Sequence, residues 1–105
     1  VDKMSNEILN NIPITFFLSQ NYPNPFNPIT KLDYNLPLRS KVNISIYNVL
    51  GQEIKTLLNE VKEYGYHSVI WNGKDNSGKD MASGVYFARI TSQSFIKTRK
   101  MLLVK

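Results

Sequence analysis

The sequence contains no cysteine and only one histidine, His67. The absence of cysteine excludes disulfides, thiolate metal sites and a thiol nucleophile. A lone imidazole also supplies too few ligands for the common zinc sites, which need several nitrogen or sulfur donors. His67 stands at the start of a β-branched run, where a cross-strand or loop-facing role is more ordinary than that of a general base. We therefore expect a protein that is not an enzyme.

Long apolar runs are also missing, since none approaches the roughly 20 residues that a helix needs to cross a bilayer. The N-terminus has neither the basic start nor the apolar stretch of a signal peptide. Its first residues are polar and rich in asparagine. We interpret residues 1–14 as a linker from an upstream domain. Residues 15–105 are expected to form a single domain.

Charge is moderately basic, with 13 Lys and Arg against 8 Asp and Glu and a formal net charge of +5. Most basic residues are spread out. The exception is a group near the C-terminus, which consists of Lys97, Arg99, Lys100 and Lys105. Nucleic-acid binders interleave such charge with stacking aromatics or present it on a recognition helix. Neither pattern is present, so we expect no nucleic-acid partner.

Hydrophobic residues alternate with polar ones over much of the chain, which is typical of half-buried strands. The inward positions of two neighbouring strands are Leu32, Tyr34 and Leu36, then Val42, Ile44 and Ile46. Their outward positions in the second strand are Asn43, Ser45 and Tyr47. Further strands are predicted at 15–19, 67–71, 85–90 and 95–105. Residues 53–61 fit a short helix or a strand, and the flanking hairpins favour the strand.

About seven short strands separated by turn signals every 8 to 12 residues or so predict an all-β fold. The architecture expected from this spacing is an antiparallel immunoglobulin-like β-sandwich. Trp71, at the end of a strand, is the expected anchor between its two sheets.

A polar loop at residues 72–80 is the one stretch that suggests a metal. Its oxygen-bearing side chains are Asn72, Asp75, Asn76, Ser77 and Asp80. Oxygens at alternating positions with glycine are what a calcium loop uses. The EF-hand pattern is absent, however, because there is no closing glutamate and two lysines add positive charge. Asx residues and glycine also populate plain β-turns, so the favoured interpretation is a turn with no metal or other cofactor.

Three aromatic residues, Tyr22, Phe26 and Trp71, could form a platform on which sugar rings stack. Such residues more often belong to a core. The platform nevertheless keeps an alternative open, in which the chain is an accessory immunoglobulin-like or carbohydrate-binding module of a secreted enzyme.

Several segments go beyond what periodicity explains. One is rich in proline and contains Asn21, Tyr22, Pro23, Pro25, Phe26 and Pro28. The others are residues 46–52, residues 71–78 beginning with Trp71, residues 82–86 and residues 97–105. In this order they resemble the type A C-terminal sorting domain of the type IX (Por) secretion system of Bacteroidota. The resemblance covers residues 15–105.

This resemblance implies a seven-stranded immunoglobulin-like sandwich, related in shape to the C-terminal part of the flagellar hook-cap protein. It also implies a secretion signal that directs an upstream cargo domain through the periplasm and across the outer membrane. The implied partners are the outer-membrane machinery of that system and a sortase-like peptidase. The cargo is expected to be released or held at the cell surface, and the domain itself is expected to be monomeric.

Residues for partner recognition follow from matching positions. Gly84 and Tyr86 match the Gly-x-Tyr motif of the family, and the basic terminal strand matches its lysine motif. The lysine motif departs from the expected Lys-x-x-x-Lys spacing, because this chain has Lys97, Lys100 and Lys105, with Arg99 between the first two. We expect a partner to read this strand through an exposed sheet edge and complementary charge. The alternative is an edge strand that lysines protect from aggregation.

Overall fold

The computed structural model describes residues 12–105, which form seven strands and no helix. The strands are β1 (Phe17–Leu18), β2 (Thr30–Leu36), β3 (Ser40–Tyr47), β4 (Glu53–Lys62), β5 (Gly65–Trp71), β6 (Gly84–Ser92) and β7 (Phe95–Leu103). This confirms the predicted all-β class. Within residues 12–105 there is accordingly no helix with the length and apolar character needed to cross a membrane. Residues 1–11 of the predicted linker lie outside the described residues.

Two sheets face each other. The three-stranded sheet has the order β1-β2-β5, and the four-stranded sheet has the order β4-β3-β6-β7. Every strand pair is antiparallel. The last strand of the chain is therefore at an edge of the larger sheet, and this position decides what its backbone can contact.

Alternate residues of β2 and β3 lie on the inner faces of the two sheets. Leu32, Tyr34 and Leu36 of β2 are fully buried, as are Val42, Ile44 and Ile46 of β3. Successive side chains of a strand point to opposite faces, so each strand contributes every second residue to the core. The predicted inward sets of both strands are confirmed.

Ser45 lies on the outer face of β3, as predicted, but it is fully buried there. In the register of the four-stranded sheet it lies between Thr56 of β4 and Arg89 of β6. These longer side chains flank a small one in a central strand. The Ser45 hydroxyl donates a hydrogen bond to the side-chain oxygen of Asn43 at 3.0 Å, which satisfies it.

Several strand boundaries differ from the sequence predictions. The first strand is shorter than residues 15–19, and the last ends at Leu103 rather than at residue 105. Residues 53–62 form a strand, as favoured over a helix, and its register with β3 shifts twice, between Ile44 and Ser45 and between Ile46 and Tyr47. Such irregularities interrupt strict alternation, which explains why the sequence pattern was ambiguous there.

The core is centred on Trp71, which is fully buried at the end of β5. Its ring lies 5.6 Å from that of Phe26 and 5.3 Å from that of Tyr86, in tilted and edge-on orientations. Aromatic rings favour edge-on contacts because the positive edge of one ring meets the negative face of the other. The indole N–H donates to the carbonyl oxygen of Lys74 at 2.9 Å, so the polar atom of this buried side chain has a partner.

Candidate partner-recognition site

The proline-rich segment, residues 20–28, pairs with the outer edge of β7. The amide of Phe26 donates to the carbonyl oxygen of Leu102 at 2.9 Å, and the amide of Val104 donates to the carbonyl oxygen of Phe26 at the same distance. Prolines lack a backbone donor, and this segment forms no continuous strand. The non-proline Phe26 supplies the amide that this edge needs, while its ring is buried beside Trp71.

Side chains of the same segment extend the cover along the strand. The amide of Leu102 donates to the side-chain oxygen of Asn24 at 3.0 Å, and the side-chain amide of Gln20 donates to the carbonyl oxygen of Lys100 at 2.7 Å. Backbone groups of β7 that would otherwise face solvent are thus paired from Lys100 to Val104. The proposal that a partner reads an exposed edge needs correction for this half of the strand.

The first half of β7 is different. Ile96 and Thr98 have the same edge orientation as Leu102, because strand backbones alternate with period two. Within the described part of the chain, neither residue has a backbone hydrogen bond to the proline-rich segment. Ile96 is 63% exposed. Along β7, the stretch of edge that a partner strand could extend is therefore residues 96–98.

The predicted basic residues do not form one surface. Met101 and Leu103 are buried against the other sheet, so alternation places Lys97 and Arg99 on the same inner side and Lys100 on the outer face. Lys105 lies beyond the strand, and its amide donates to the hydroxyl oxygen of Ser83 at 2.9 Å.

Arg99 joins the two sheets. Its Nε donates to the carbonyl oxygen of Leu18 at 3.0 Å. Beside it, the rings of Phe16 and Phe95 stack with centroids 5.4 Å apart. This guanidinium therefore has a structural contact, and a direct contact with a partner stays a prediction.

Gly84 and Tyr86 lie where β6 begins. The Tyr86 side chain is only 7% exposed, and its hydroxyl donates to the carbonyl oxygen of Ala82 at 2.7 Å. Burial raises the pKa of Tyr86. Gly84 has φ +152°, a backbone conformation that residues with a side chain rarely adopt. The motif thus fixes the entry into β6, and its recognition by a partner stays a prediction.

Within the proline-rich segment, Asn21 is a buried hydrogen-bonding centre. Its side-chain amide donates to the carbonyl oxygen of Pro23 and to the hydroxyl oxygen of Thr30, both at 3.0 Å. The Thr30 hydroxyl donates to the same Pro23 oxygen at 2.8 Å. Tyr22, by contrast, is 77% exposed. Buried Phe26 and Trp71 cannot stack on a sugar with it, so the three predicted aromatics form no platform.

Pro28 and Gly73 belong to two different motifs and lie against each other. Gly73 has φ +76°, and a Cβ built there would lie 3.1 Å from the carbonyl oxygen of Pro28. Both the conformation and the close approach require glycine. Pro25, on the same segment, lies between Asn24, which bonds to β7, and Phe26, which is in the core.

In the polar loop, the candidate calcium ligands accept hydrogen bonds from the protein itself. One carboxylate oxygen of Asp75 accepts from the amide and hydroxyl of Ser77 and from the amide of Lys79, at 2.8–2.9 Å. The hydrogen bonds from Lys79 and Ser77 lower the pKa of Asp75. Asp80 pairs with the ammonium of Lys74 at 2.6 Å. This hydrogen bond and the charge of Lys74 lower the pKa of Asp80.

The amide side chains of the loop act in the same way. Asn72 accepts a hydrogen bond from the amide of Lys74 at 3.2 Å, and Asn76 accepts one from the amide of Thr56 in β4 at 3.1 Å. The first contact lies within the turn, and the second joins the turn to β4. Among the described residues, no three carboxylate or imidazole groups converge as metal ligands would.

Sequence reasoning missed a second surface, on the outer face of the four-stranded sheet. Arg89 of β6 lies over the ring of Tyr47, with its guanidinium carbon 4.6 Å from the ring centroid. The turn after Tyr47 exposes Val49 and Leu50, by 68% and 78%. The available signal was a pair of large aliphatic residues inside a turn, where polar residues are usual.

The comparisons with known proteins are consistent with this fold. The profile of the FlgD Ig-like domain matches residues 29–94. No curated protein sequence matches the chain.

Three solved structures resemble it. Dimeric latent PorU from Porphyromonas gingivalis has a TM-score of 0.68 and 18% identity over 88% of this chain. PorZ, an essential surface component of the type IX secretion system of the same bacterium, has a TM-score of 0.57 and 20% identity over 86%. FlgD from P. aeruginosa has a TM-score of 0.53 and 27% identity over 70%.

The chain spans 10% of that PorU chain, 11% of PorZ and 59% of FlgD. The likeness to PorU and PorZ therefore concerns the fold of one part of each larger protein. The family match covers well over half of the present sequence, from before β2 to the end of β6. The chain belongs to the FlgD Ig-like domain family.

Proposed function

We propose that this domain is a non-catalytic sorting signal that directs a larger cargo protein across the outer membrane through the type IX secretion system. In this proposal the domain passes through the periplasm and reaches the cell surface as a monomer. Its partners are the outer-membrane machinery and a sortase-like peptidase that separates it from the cargo.

The observation that carries the proposal is the pairing between the proline-rich segment and β7. These are two of the motifs on which the resemblance to sorting domains rests. The hydrogen bonds of Phe26 to Leu102 and Val104 make them parts of one structural unit. The motifs are distant in sequence, so their contact supports a requirement for both within one recognised domain. The fold shared with parts of PorU and PorZ is further support.

A reporter fusion tests the proposal. Residues 1–105 would follow a general export signal and a fluorescent protein in a bacterium that has the type IX machinery. We expect the reporter at the cell surface or in the medium, and in the periplasm when the secretion system is deleted. A reporter that stays in the periplasm of both strains would contradict the proposal.

The basic residues need a test that keeps the domain folded. Deletion of residues 101–105 removes Met101 and Leu103, which are fully buried, so a loss of export would not separate recognition from folding. The double substitution Lys100→Gln and Lys105→Gln removes charge and leaves the core intact. We expect it to reduce export. The matched control is Lys41→Gln with Lys79→Gln, which removes the same charge elsewhere and should leave export unchanged.

A second candidate function rests on a different face. On the outer face of the three-stranded sheet, Phe17 and Tyr66 lie on either side of Asn35 in register, with 43% and 64% of their side chains exposed. Exposed aromatics beside a polar side chain suit stacking on a sugar, as in an accessory carbohydrate-binding module. A glycan array tests this: selective retention that Tyr66→Ala abolishes would favour it over the sorting signal.

A further inference from the structure

We propose that the groove beside Arg89 docks an extended segment of a partner protein that carries a carboxylate next to an aliphatic side chain. The groove has a volume of about 330 Å³ and lies on the outer face of the four-stranded sheet. Its lining residues are Tyr47, Asn48, Val49, Gly51, Phe87, Arg89 and Thr98. This inference rests on the proposed function, because it names the surface through which the sorting domain is read.

The guanidinium of Arg89 is held in position before any partner arrives. It lies 4.6 Å from the centroid of the Tyr47 ring, and one of its terminal nitrogens donates to the Tyr47 hydroxyl at 3.0 Å. A guanidinium has further N–H groups in a planar fork that matches a carboxylate. Within residues 12–105 no carboxylate forms an ion pair with Arg89.

The turn beside the groove is rigid, although it exposes aliphatic side chains. The side-chain oxygen of Asn48 accepts hydrogen bonds from the amides of Leu50 and Gln52 at 2.9 and 3.0 Å. Gly51, at φ +79°, donates its amide to the carbonyl oxygen of Asn48 at 3.0 Å. These hydrogen bonds hold the turn in a conformation that exposes the side chains of Val49 and Leu50 to solvent. A preorganised apolar contact loses little entropy when a partner covers it.

Charge specifies the partner. Strands β6 and β7, which form the floor of the groove and its far side, contain no acidic residue. Lys100 lies opposite Phe87 in the register and adds a second positive charge on this face. No acidic residue is among the lining residues, and Glu53 lies opposite Tyr47 in the register, on the side away from β7. A partner that places a carboxylate over Arg89 and an aliphatic side chain against Val49 complements both the positive charge and the exposed apolar side chain of the groove.

The first part of the test is a peptide array that needs no secretion system. The whole chain would be applied to immobilised heptapeptides that combine Asp, Asn, Leu and Val in all orders. We expect retention on peptides with Asp beside Leu or Val, and about tenfold weaker binding by Arg89→Gln, since a charge-assisted hydrogen bond is lost. Val49→Ser should also weaken binding. The matched controls are Arg39→Gln, whose arginine is exposed and pairs with Glu63, and Ile70→Ser, whose side chain is 61% exposed.

The array has two results that overturn the inference: no acidic peptide is retained, or Arg89→Gln and Arg39→Gln retain the same peptides equally. Thermal melting of each variant establishes that it is folded. The second part introduces the same variants into the reporter fusion. Export of the wild type, with loss for Arg89→Gln and Val49→Ser but not for the controls, supports the groove as the recognised surface. Normal export of all variants overturns that role and leaves the sorting function standing. If the wild type is not exported, the sorting function fails and the array alone decides whether the groove binds acidic segments.

Discussion

Phe26 and Leu103 form a parallel bridge between the proline-rich segment and the last strand. Both side chains are buried, so the bridge also brings the segment into the core. One residue of the segment thus serves two purposes: its backbone covers a sheet edge, and its ring packs on Trp71.

Truncation of this ring should therefore destabilise the domain. We expect Phe26→Ala to lower the free energy of unfolding by about 3–5 kcal/mol, because a large buried side chain is replaced by a cavity. Urea denaturation followed by tryptophan fluorescence measures the change. Phe17→Ala is the control, since Phe17 is 43% exposed and should lose far less. Equal losses for both variants would contradict the central position of Phe26.

Two tyrosines provide an opposed pair of predictions. The hydroxyl of Tyr34 is buried and has no hydrogen-bond partner among the described residues, whereas that of Tyr86 donates to Ala82. Tyr34→Phe should raise the free energy of unfolding by about 1 kcal/mol, because an unpaired hydroxyl no longer has to be desolvated. Tyr86→Phe should lower it by about 1 kcal/mol. Chemical denaturation compares them, and a loss in the first variant would refute the assignment.

Stability should also depend on alkaline pH through Tyr34. Burial, together with the negative charge of Glu60, raises the pKa of Tyr34 to about 12. The unfolded chain releases this proton near the ordinary tyrosine pKa of about 10. The folded state therefore binds more protons between these values, and the free energy of unfolding falls as pH rises from about 10 to about 12. Urea titrations of wild type and Tyr34→Phe across this range should show a shallower decline for the variant.

The carboxylate of Asp75, in the polar loop, should make stability depend on pH in the opposite sense, at acidic pH. The pKa of Asp75 is lowered, chiefly by the hydrogen bonds from Lys79 and Ser77. Its contribution is present above the unfolded pKa of about 4 and is lost as pH falls through the lower folded value. Asp75→Ala should accelerate amide hydrogen exchange at Ser77 and Lys79, with Glu53→Ala as an exposed control. Unchanged exchange in the first variant would show that the carboxylate does not order the loop.

A substitution at Gly84 separates the effect of backbone conformation on stability from the effect of side-chain packing. A Cβ at this position meets no atom within 4 Å, so any penalty for Gly84→Ala comes from φ +152°. We expect a loss of about 1–3 kcal/mol in the free energy of unfolding. D-alanine introduced by chemical ligation is the control, because its mirror-image preference accepts positive φ. If both forms lose the same stability, the conformational explanation is wrong.

Much of the fold was predictable because alternation identifies a buried face locally. Leu32, Tyr34 and Leu36 needed only their own spacing to be placed in the core. The burial of outward-pointing Ser45 was not predictable, because it depends on Thr56 and Arg89, which sequence cannot set beside it before the register is known.

The candidate site was less predictable, for a related reason. The basic group at 97–105 is contiguous in sequence, yet alternation sends Arg99 and Lys100 to opposite faces. The cover over β7 comes from residues near the other end of the domain, and the pairing of Arg89 with Tyr47 joins two different strands. Contacts between distant segments follow from topology, and local pattern does not specify them.

The pairing of the segment around Phe26 with residues 102–104 has a consequence for synthesis. A nascent chain that has not yet emerged as far as Val104 holds the beginning of the domain without its partner strand, and the Phe26 ring remains uncovered on that side. The inner face beside Phe26 can therefore be covered only after residues 102–104 have been synthesised.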